Sequence, residues 1–327
     1  MRQVSAFVLV MMAAFGLLTP ASAQTQPYPS RPITLVVPFA AGGPLDVLAR
    51  LLSERMRTSL GQLLIVETIS GAAGIVGISR VARAAPDGYT VSVGNWGSHV
   101  ASPALYPTPF DVLGDFEPVS LIANVPIWLI ARASIPANNL QELIAWLKAN
   151  PDKATAATVG QGNATHLCGI DFQNKTGVRF QFATYRGAGP AVQDLVAGQV
   201  DLMFGEVSTA LPHVKAGTIK AHAVLAPSRW FAAPDVPTID EAGVPGLHVA
   251  LWFGMWLPKA TPPAVIATFE RATRETLADP AVRQRVTAMG LEIPAVERLG
   301  PAALGALQRA EIDKWWPIIK AAKIKVE

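Results

Sequence analysis

The chain has 327 residues, half of them hydrophobic, with 27 prolines and 26 glycines. That composition suits a compact α/β protein of about two domains joined by many short connections. Lysine and arginine number 27 against 24 acidic residues, a formal net charge of +3, and the charges are interspersed, which excludes the concentrated basic face of a nucleic-acid binder. The one cysteine, Cys168, excludes an intramolecular disulfide, so stability has to come from an ordinary core.

At the N-terminus Arg2 precedes an apolar run from Val4 to Leu18, and Ala21-Ser22-Ala23 precedes Gln24. Charge, apolar core and small-residue site in that order predict a secretory signal over residues 1–23, cleaved after Ala23, and a mature chain exported to the periplasm. The alternative keeps the segment as an anchor, although its apolar core is short for a bilayer. No later segment reaches the run of about 18 uncharged apolar residues that a membrane helix needs.

Strand and helix patterns then alternate. Strands are predicted near Ile33–Pro38, Leu63–Glu67, Thr90–Gly94, Val119–Ala123, Trp128–Ala131, Ala154–Val159, Gln181–Tyr185, Val200–Phe204 and Lys220–Ala226. Between them lie helical patterns at Leu45–Leu60, Ile75–Ala85, Leu140–Asn150, His166–Thr176, Ala188–Ala197 and Ser208–Ala216, with Gly61, Gly177, Gly198 and Gly217 as C-terminal stops. On the first helix Val47, Leu48, Leu51 and Leu52 repeat at helical spacing and predict its buried face. Such alternation predicts mostly parallel sheets covered by helices on both faces. From Thr261 to Ala288 and from Pro301 to Ala322 the pattern is helical, with prolines at the starts.

Four glycine-rich turns sit at the carboxyl ends of predicted strands: Phe39 to Gly43 with Asp46, Gly94 to His99, Gly160 to Thr165, and Tyr185 to Pro190. Ligands bind at that edge in open α/β sheets, and a helix N-terminus offers unpartnered N–H groups and a positive dipole to an anion. The alternative for any one of them is an ordinary strand-to-helix turn. Together they supply backbone N–H groups and Ser, Thr and Asn donors, with Arg186 as the single cation. This suits a carboxylate better than a nucleotide. Asn163 or Thr165 is able to cap the helix that starts near His166.

Competing motifs fail on detail. Gly42-Gly43 lacks the Gly-Lys-Ser/Thr of a P-loop, and Gly160-x-Gly162-x-x-Thr165 breaks the dinucleotide fingerprint at its last glycine. His99, His166, His213, His222 and His248 lack ligand spacing, so capping or surface roles are expected of them and no metal or other cofactor is. Cys168, mid-helix, reads as a small buried hydrophobe. No Gly-x-Ser-x-Gly elbow occurs.

Five segments in order carry a resemblance: Tyr28-Pro29-Ser30-Arg31-Pro32-Ile33; Val37-Pro38-Phe39-Ala40-x-Gly42-Gly43-x-x-Asp46; Ala85-Pro86-Asp87-Gly88-Tyr89-Thr90; Pro103-Ala104-Leu105-Tyr106; and Gly198-Gln199-Val200-Asp201-Leu202-Met203-Phe204. From Tyr28 to Lys323-Ile324-Lys325 the chain resembles the Bug family, the TctC-like extracytoplasmic solute-binding receptors of tripartite tricarboxylate transporters. The resemblance implies a two-lobed type II periplasmic-binding-protein (Venus-flytrap) fold that holds an anionic organic solute between its lobes and performs no catalysis. It implies lobes made of residues 24–125 with 226–327, and of residues 126–225. It also implies TctA-like and TctB-like membrane subunits as partners of a monomer.

Carried over by position, the ligand loops are Phe39, Ala41, Gly42 and Gly43 with Asp46; Asn95, Trp96, Ser98 and His99; Gly162, Asn163 and Thr165; Tyr185, Arg186 and Gly187; and the turn at Gly205 and Glu206. Asn95, Ser98, Asn163 and Thr165 are the expected side-chain donors, and Trp96 and Tyr185 the expected walls, with Trp252 a further candidate. Trp96 reads equally well as packing on the sheet. The chain departs from its family at Leu45, where Ser or Thr is common, at Trp96, and at Gly205-Glu206, where Asp-Asn is common. With one cation in the turns, an aromatic carboxylate or a linear dicarboxylate is expected rather than a tricarboxylate. An exported enzyme on a similar fold stays open as the alternative, as does a receptor serving a sensor kinase.

Overall fold

A computed structural model describes residues 28–321; the expected signal segment lies outside them, as does the Lys323-Ile324-Lys325 end. Strand β1 (Ile33–Val37) turns into helix α1 (Pro44–Leu60), then come β2 (Leu64–Thr68), α2 (Ile75–Ala82) and β3 (Thr90–Asn95). Parallel pairing of β1 with β2 and with β3 makes one half-sheet. Strands β1 and β3 are buried on both faces, as a helix-covered parallel sheet requires, whereas edge strand β2 leaves Ile65 43% exposed. Helix α1 buries Leu45, Leu48, Ala49, Leu52 and Met56, at three- and four-residue spacing. That stripe is rotated from the predicted one, because Val47 is 43% exposed and Leu51 only half-buried.

The predicted strands at Val119–Ala123 and Trp128–Ala131 are one continuous strand, β4 (Phe116–Arg132). It pairs antiparallel with β9 (Ala250–Pro258) through Pro126, and with β7 (Leu202–Glu206) from Ile127 onward. One strand therefore serves two half-sheets. The second contains α3 (Leu140–Ala149), β5 (Thr155–Thr158), α4 (Ala164–Thr176), β6 (Gln181–Thr184), α5 (Ala188–Val196), β7, α6 (Val207–Lys215) and β8 (Ile219–Val224). Residues 226–249 lead to β9, followed by α7 (Pro263–Ala278), α8 (Pro280–Ala288) and α9 (Pro301–Ala321).

Among the described residues nine strands run β2-β1-β3-β9-β4-β7-β5-β6, with β8 also on β4. Parallel pairing holds at both ends of this order, and β4, β8 and β9 pair antiparallel in the middle. The fold is α/β and two-lobed. Period-two alternation on β4 shows why both faces are covered. Leu129 and Ala131 join the core that holds Leu143, Leu147 and Phe172 of α3 and α4, whereas Trp128 and Ile130 face Ala191, Leu195 and Leu211 of α5 and α6.

Two further features depart from the sequence reading. Strand β9, Ala250–Pro258, has no counterpart in the predicted strands. The helical stretch from Thr261 breaks at Asp279, whose Oδ1 accepts the N–H groups of Ala281 and Val282 at 2.9 and 3.2 Å, while Arg55 on α1 donates to its Oδ2 at 2.8 Å.

Candidate functional site

The first turn is built by its own carboxylate. Gly42 takes a left-handed φ of +80°, and Asp46, 4% exposed, reaches back to accept the Gly42 N–H at 2.9 Å while pairing with Arg50 at 2.9 Å. Asp46 therefore shapes the turn rather than reaching outward. Gly43 occupies the N-cap of α1 with no side-chain cap. The amides of Ala41 and Gly43 have no partner among the described residues, which leaves donors at the positive end of the helix dipole.

At the end of β3, Asn95 and Ser98 satisfy each other: Ser98 N donates to Asn95 Oδ1 at 2.9 Å and Asn95 N to Ser98 Oγ at 3.0 Å. Ser98 Oγ also lies 3.0 Å from His99 Nδ1, so its hydroxyl is consumed inside the turn. The His99 ring stacks on Trp256 at 3.7 Å, with Ser92 Oγ 3.3 Å from its Nε2, and burial pushes its pKa down to about 3. It is a neutral core residue, and His222 is buried too, which corrects the expectation of capping or surface roles for these two, whereas His248 is exposed and His213 half-buried as expected. Trp96 points away from the turn: its indole donates to Glu311 on α9 at 2.7 Å and packs edge-on to Trp315.

In the third turn Thr165 Oγ1 meets Thr158 Oγ1 at 2.9 Å and accepts the Val159 N–H at 3.1 Å, so it ties β5 to α4 instead of capping the helix. Gly162 N donates to His166 Nδ1 at 2.9 Å, and burial lowers that imidazole to about 4. Asn163 holds the N-cap position without a side-chain cap, and its Nδ2 is buried with no partner. A buried orphan amide at this edge is an available donor. In the fourth turn Tyr185 donates to Asp194 at 2.7 Å, and burial, aided by that bond, raises its phenol to about 12.

Sequence reasoning missed a fifth turn, Gly71–Gly74, between β2 and α2. Gly71 and Gly74 have φ of +143° and +102°, and Ala72 and Ala73, without the freedom of glycine, have +44° and +50°. Strained backbone of this kind clusters at functional sites. The glycine pair between a strand and a helix was the available signal.

The turns converge across the two halves. The Ala40 N–H donates to the Arg186 carbonyl at 3.4 Å, and Tyr106 OH to the Gln161 carbonyl at 3.2 Å. A Cβ at Gly162 would stand 1.7 Å from Leu105 Cδ1, and one at Gly187 would stand 3.2 Å from the Ala40 Cβ. Two of the cavities between the halves are lined by these turns. One of about 20 Å³ is lined by Phe39, Ala40, Gly43, Pro44, Leu45, Asp46, Asn95, Val159, Ala188 and Glu206. The other, about 550 Å³, is lined by Phe39, Gly71 to Gly74, Tyr106, Val159 to Gln161, and Thr184 to Arg186. Phe39 and Val159 border both.

Phe39, Gly43, Asp46, Asn95, Glu206, Tyr185 and Arg186 thus meet at the cleft, with Gly162, Asn163 and Gly187 at the contacts between its walls. Ala41 and Gly42 are exposed at its mouth. Trp96, Ser98, His99, Thr165 and Gly205 are not brought to either cavity; Gly205 is a buried β7 residue against Ile130. Trp252, buried on β9, lines neither. A larger open groove of about 780 Å³ lies outside the cleft, between α1 and α6, and shares only Gly42 with the expected site.

Residues 48–324 match the family described as the tripartite tricarboxylate transporter family receptor, TctC. The chain belongs to this receptor family. Among solved structures, the receptor is 39% identical to the periplasmic binding protein BugD, with a TM-score of 0.87 over 92% of this chain and 100% of that one. It is 37% identical to MatC from Rhodopseudomonas palustris, solved with bound malate, at a TM-score of 0.85 over 89% and 100% of the two chains. It is 32% identical to Rpa4515 of R. palustris, solved with adipate, at 0.86 over 91% and 99%.

Proposed function

We propose that the receptor captures a small organic carboxylate between its lobes and delivers it to TctA-like and TctB-like membrane subunits. The observation that carries this reading is the meeting of five strand-end turns whose free groups are backbone amides, the Asn163 amide and the Arg186 guanidinium. Neutral donors at helix N-termini suit one or two carboxylates and leave a third charge unmatched. A linear dicarboxylate fits best, with an aromatic carboxylate second. The relatives solved with malate and adipate support this class. Ser98, Thr165 and Asp46 act by holding the turns in shape, and Phe39 and Tyr185 wall the ligand.

The protein works in the periplasm as a monomer after cleavage behind Ala23. Its lobes comprise residues 24–125 with 226–327, and 126–225. The β4 switch of partners at Pro126–Ile127 supports the first crossing. The bonds from Leu225 N to Ile127 O and from Val249 N to Leu225 O support the second. Thermal-shift screening of mono- and dicarboxylates tests the reading, since a ligand at 100 times its Kd adds about 2.7 kcal/mol of stability. Conversion of the ligand during incubation, or a screen without any shift, would refute it.

A further inference from the structure

Among the described residues, Glu206 is the ionisable side chain on the small cavity that no ion pair or hydrogen bond engages. It ends β7, is 8% exposed, and its carboxyl group makes no hydrogen bond or ion pair among the described residues. The groups facing it are known element by element. From α1 comes Asp46, engaged by the Gly42 N–H and by Arg50. From β3 comes Asn95, uncharged; from the turns Phe39, Ala40, Gly43 and Val159, and from α5 Ala188, nothing titratable. Glu206 is the N-cap of α6, whose dipole favours the ionised form, but the basic residues His213 and Lys215 of that helix lie in its last turn, at the far end.

An ionised carboxylate in such a place has little solvent and no cation beside it, and protonation relieves the cost. Burial raises Glu206 to about 7. An anion arriving in the same cavity disfavours the charged form further. The neutral acid also gains something to do, because a protonated carboxyl is a donor and an incoming carboxylate is an acceptor.

We propose that Glu206 enters the complex as the neutral acid and donates its O–H to a carboxylate oxygen of the bound anion, so that each anion is loaded together with one proton from solvent. This rests on the reading that the cleft takes a carboxylate. No bond changes except the O–H formed on Glu206, and the complex carries one charge fewer than the anion and ionised receptor together. A solute bearing an ammonium would ask for the opposite state, the ionised carboxylate.

Calorimetry on the mature protein tests this, with adipate, malate and benzoate as probes, in two buffers of unlike ionisation enthalpy at pH 6 and pH 8. Uptake of about 0.9 proton per anion at pH 8 and about 0.1 at pH 6 is expected, with affinity about tenfold weaker at the higher pH. Glu206→Gln, permanently a neutral donor, should bind with no proton uptake and with equal affinity at both pH values. A carboxylate complex that forms at pH 8 without net proton uptake overturns the inference and leaves the proposed function standing. So does an amino acid that binds more tightly at pH 8 and is lost in Glu206→Gln. If none of the probes binds, the proposed function and this inference fall together. The uptake measurement on the unaltered protein decides the matter even if the variant fails to fold.

Discussion

Ala40 and Arg186 meet main chain to main chain, the N–H of one on the carbonyl of the other at 3.4 Å. One follows β1 and the other β6, at opposite ends of the strand order. The walls of the cleft are therefore in contact, and the cavity behind them holds about 20 Å³. A ligand larger than a water molecule enters that small cavity only if those walls part and close again around it, a hinge motion that the ligand biases by its differential affinity.

Gly187→Leu should prop the cleft open. The residue has φ 176°, extended backbone open to any side chain, so the substitution adds no local strain, but a Cβ there already stands 3.2 Å from Ala40 Cβ. Small-angle scattering should show a larger radius of gyration than for the unaltered protein, with carboxylate affinity reduced at least about tenfold. Unchanged scattering together with unchanged affinity would mean the contact is irrelevant to closure.

Asp46→Ala removes the acceptor of the Gly42 N–H and the partner of Arg50 from a buried position. Denaturant unfolding should show a loss of about 1 to 3 kcal/mol, the range for stranding a buried polar group. Asp46→Asn keeps an acceptor and should lose less. Equal losses in the two variants would contradict the assigned role.

Acid should destabilise the fold through its histidines. Burial holds His99 near 3 and His166 and His222 near 4, all below the ordinary 6.5, so the unfolded chain binds more protons and stability falls as pH drops below 6.5. Glu206 works the other way, protonated in the fold between 4.5 and about 7 while the unfolded carboxyl is ionised. Three groups against one leave a net slope of about 2.7 kcal/mol per pH unit around pH 5 to 6. Urea titrations across that range measure it, and Glu206→Gln should steepen it to about 4 kcal/mol per unit. A flat profile would mean the histidines are hydrated in the folded protein.

Trp96→Phe separates packing from binding. The indole donates to Glu311, which also accepts from Trp315 at 3.1 Å, so the change should cost about 1 kcal/mol of stability for the lost hydrogen bond. Carboxylate affinity should stay within about twofold, since the ring lines neither cleft cavity. A large loss of affinity would restore Trp96 to the ligand wall.

Sequence reading reached the turns more readily than the roles of their side chains. Glycine between an apolar strand and an amphipathic helix is a local signal, and it placed the Phe39–Gly43, Gly160–Thr165 and Tyr185–Gly187 turns at the cleft. Whether a hydroxyl there is free is not local in the same way. Ser98 and Thr165 look like donors in the chain, yet Asn95 and Thr158 consume them. Strand β9 escaped because its partners, β3 and β4, are more than a hundred residues away, and Trp252, Phe253 and Trp256 around Gly254 give no clean alternation. Trp96 could be read either way until α9, over two hundred residues later, supplied Glu311.

By itself the sequence determined the alternation of strands and helices, the helix stops at glycine, the positions of four glycine-rich strand-end turns and the family. Periodicity, backbone freedom and ordered motifs are properties of short segments, and short segments carry them wherever the chain goes. Tertiary structure decided the rest: that β4 and β9 join the two half-sheets antiparallel, that Asp46 shapes a turn, that three histidines are dry, and that the Glu206 carboxyl faces the small cavity without a partner among the described residues. Burial and hydrogen-bond satisfaction depend on which distant segment arrives at a side chain, and the cost of an unpaired charge exists only once water has been excluded.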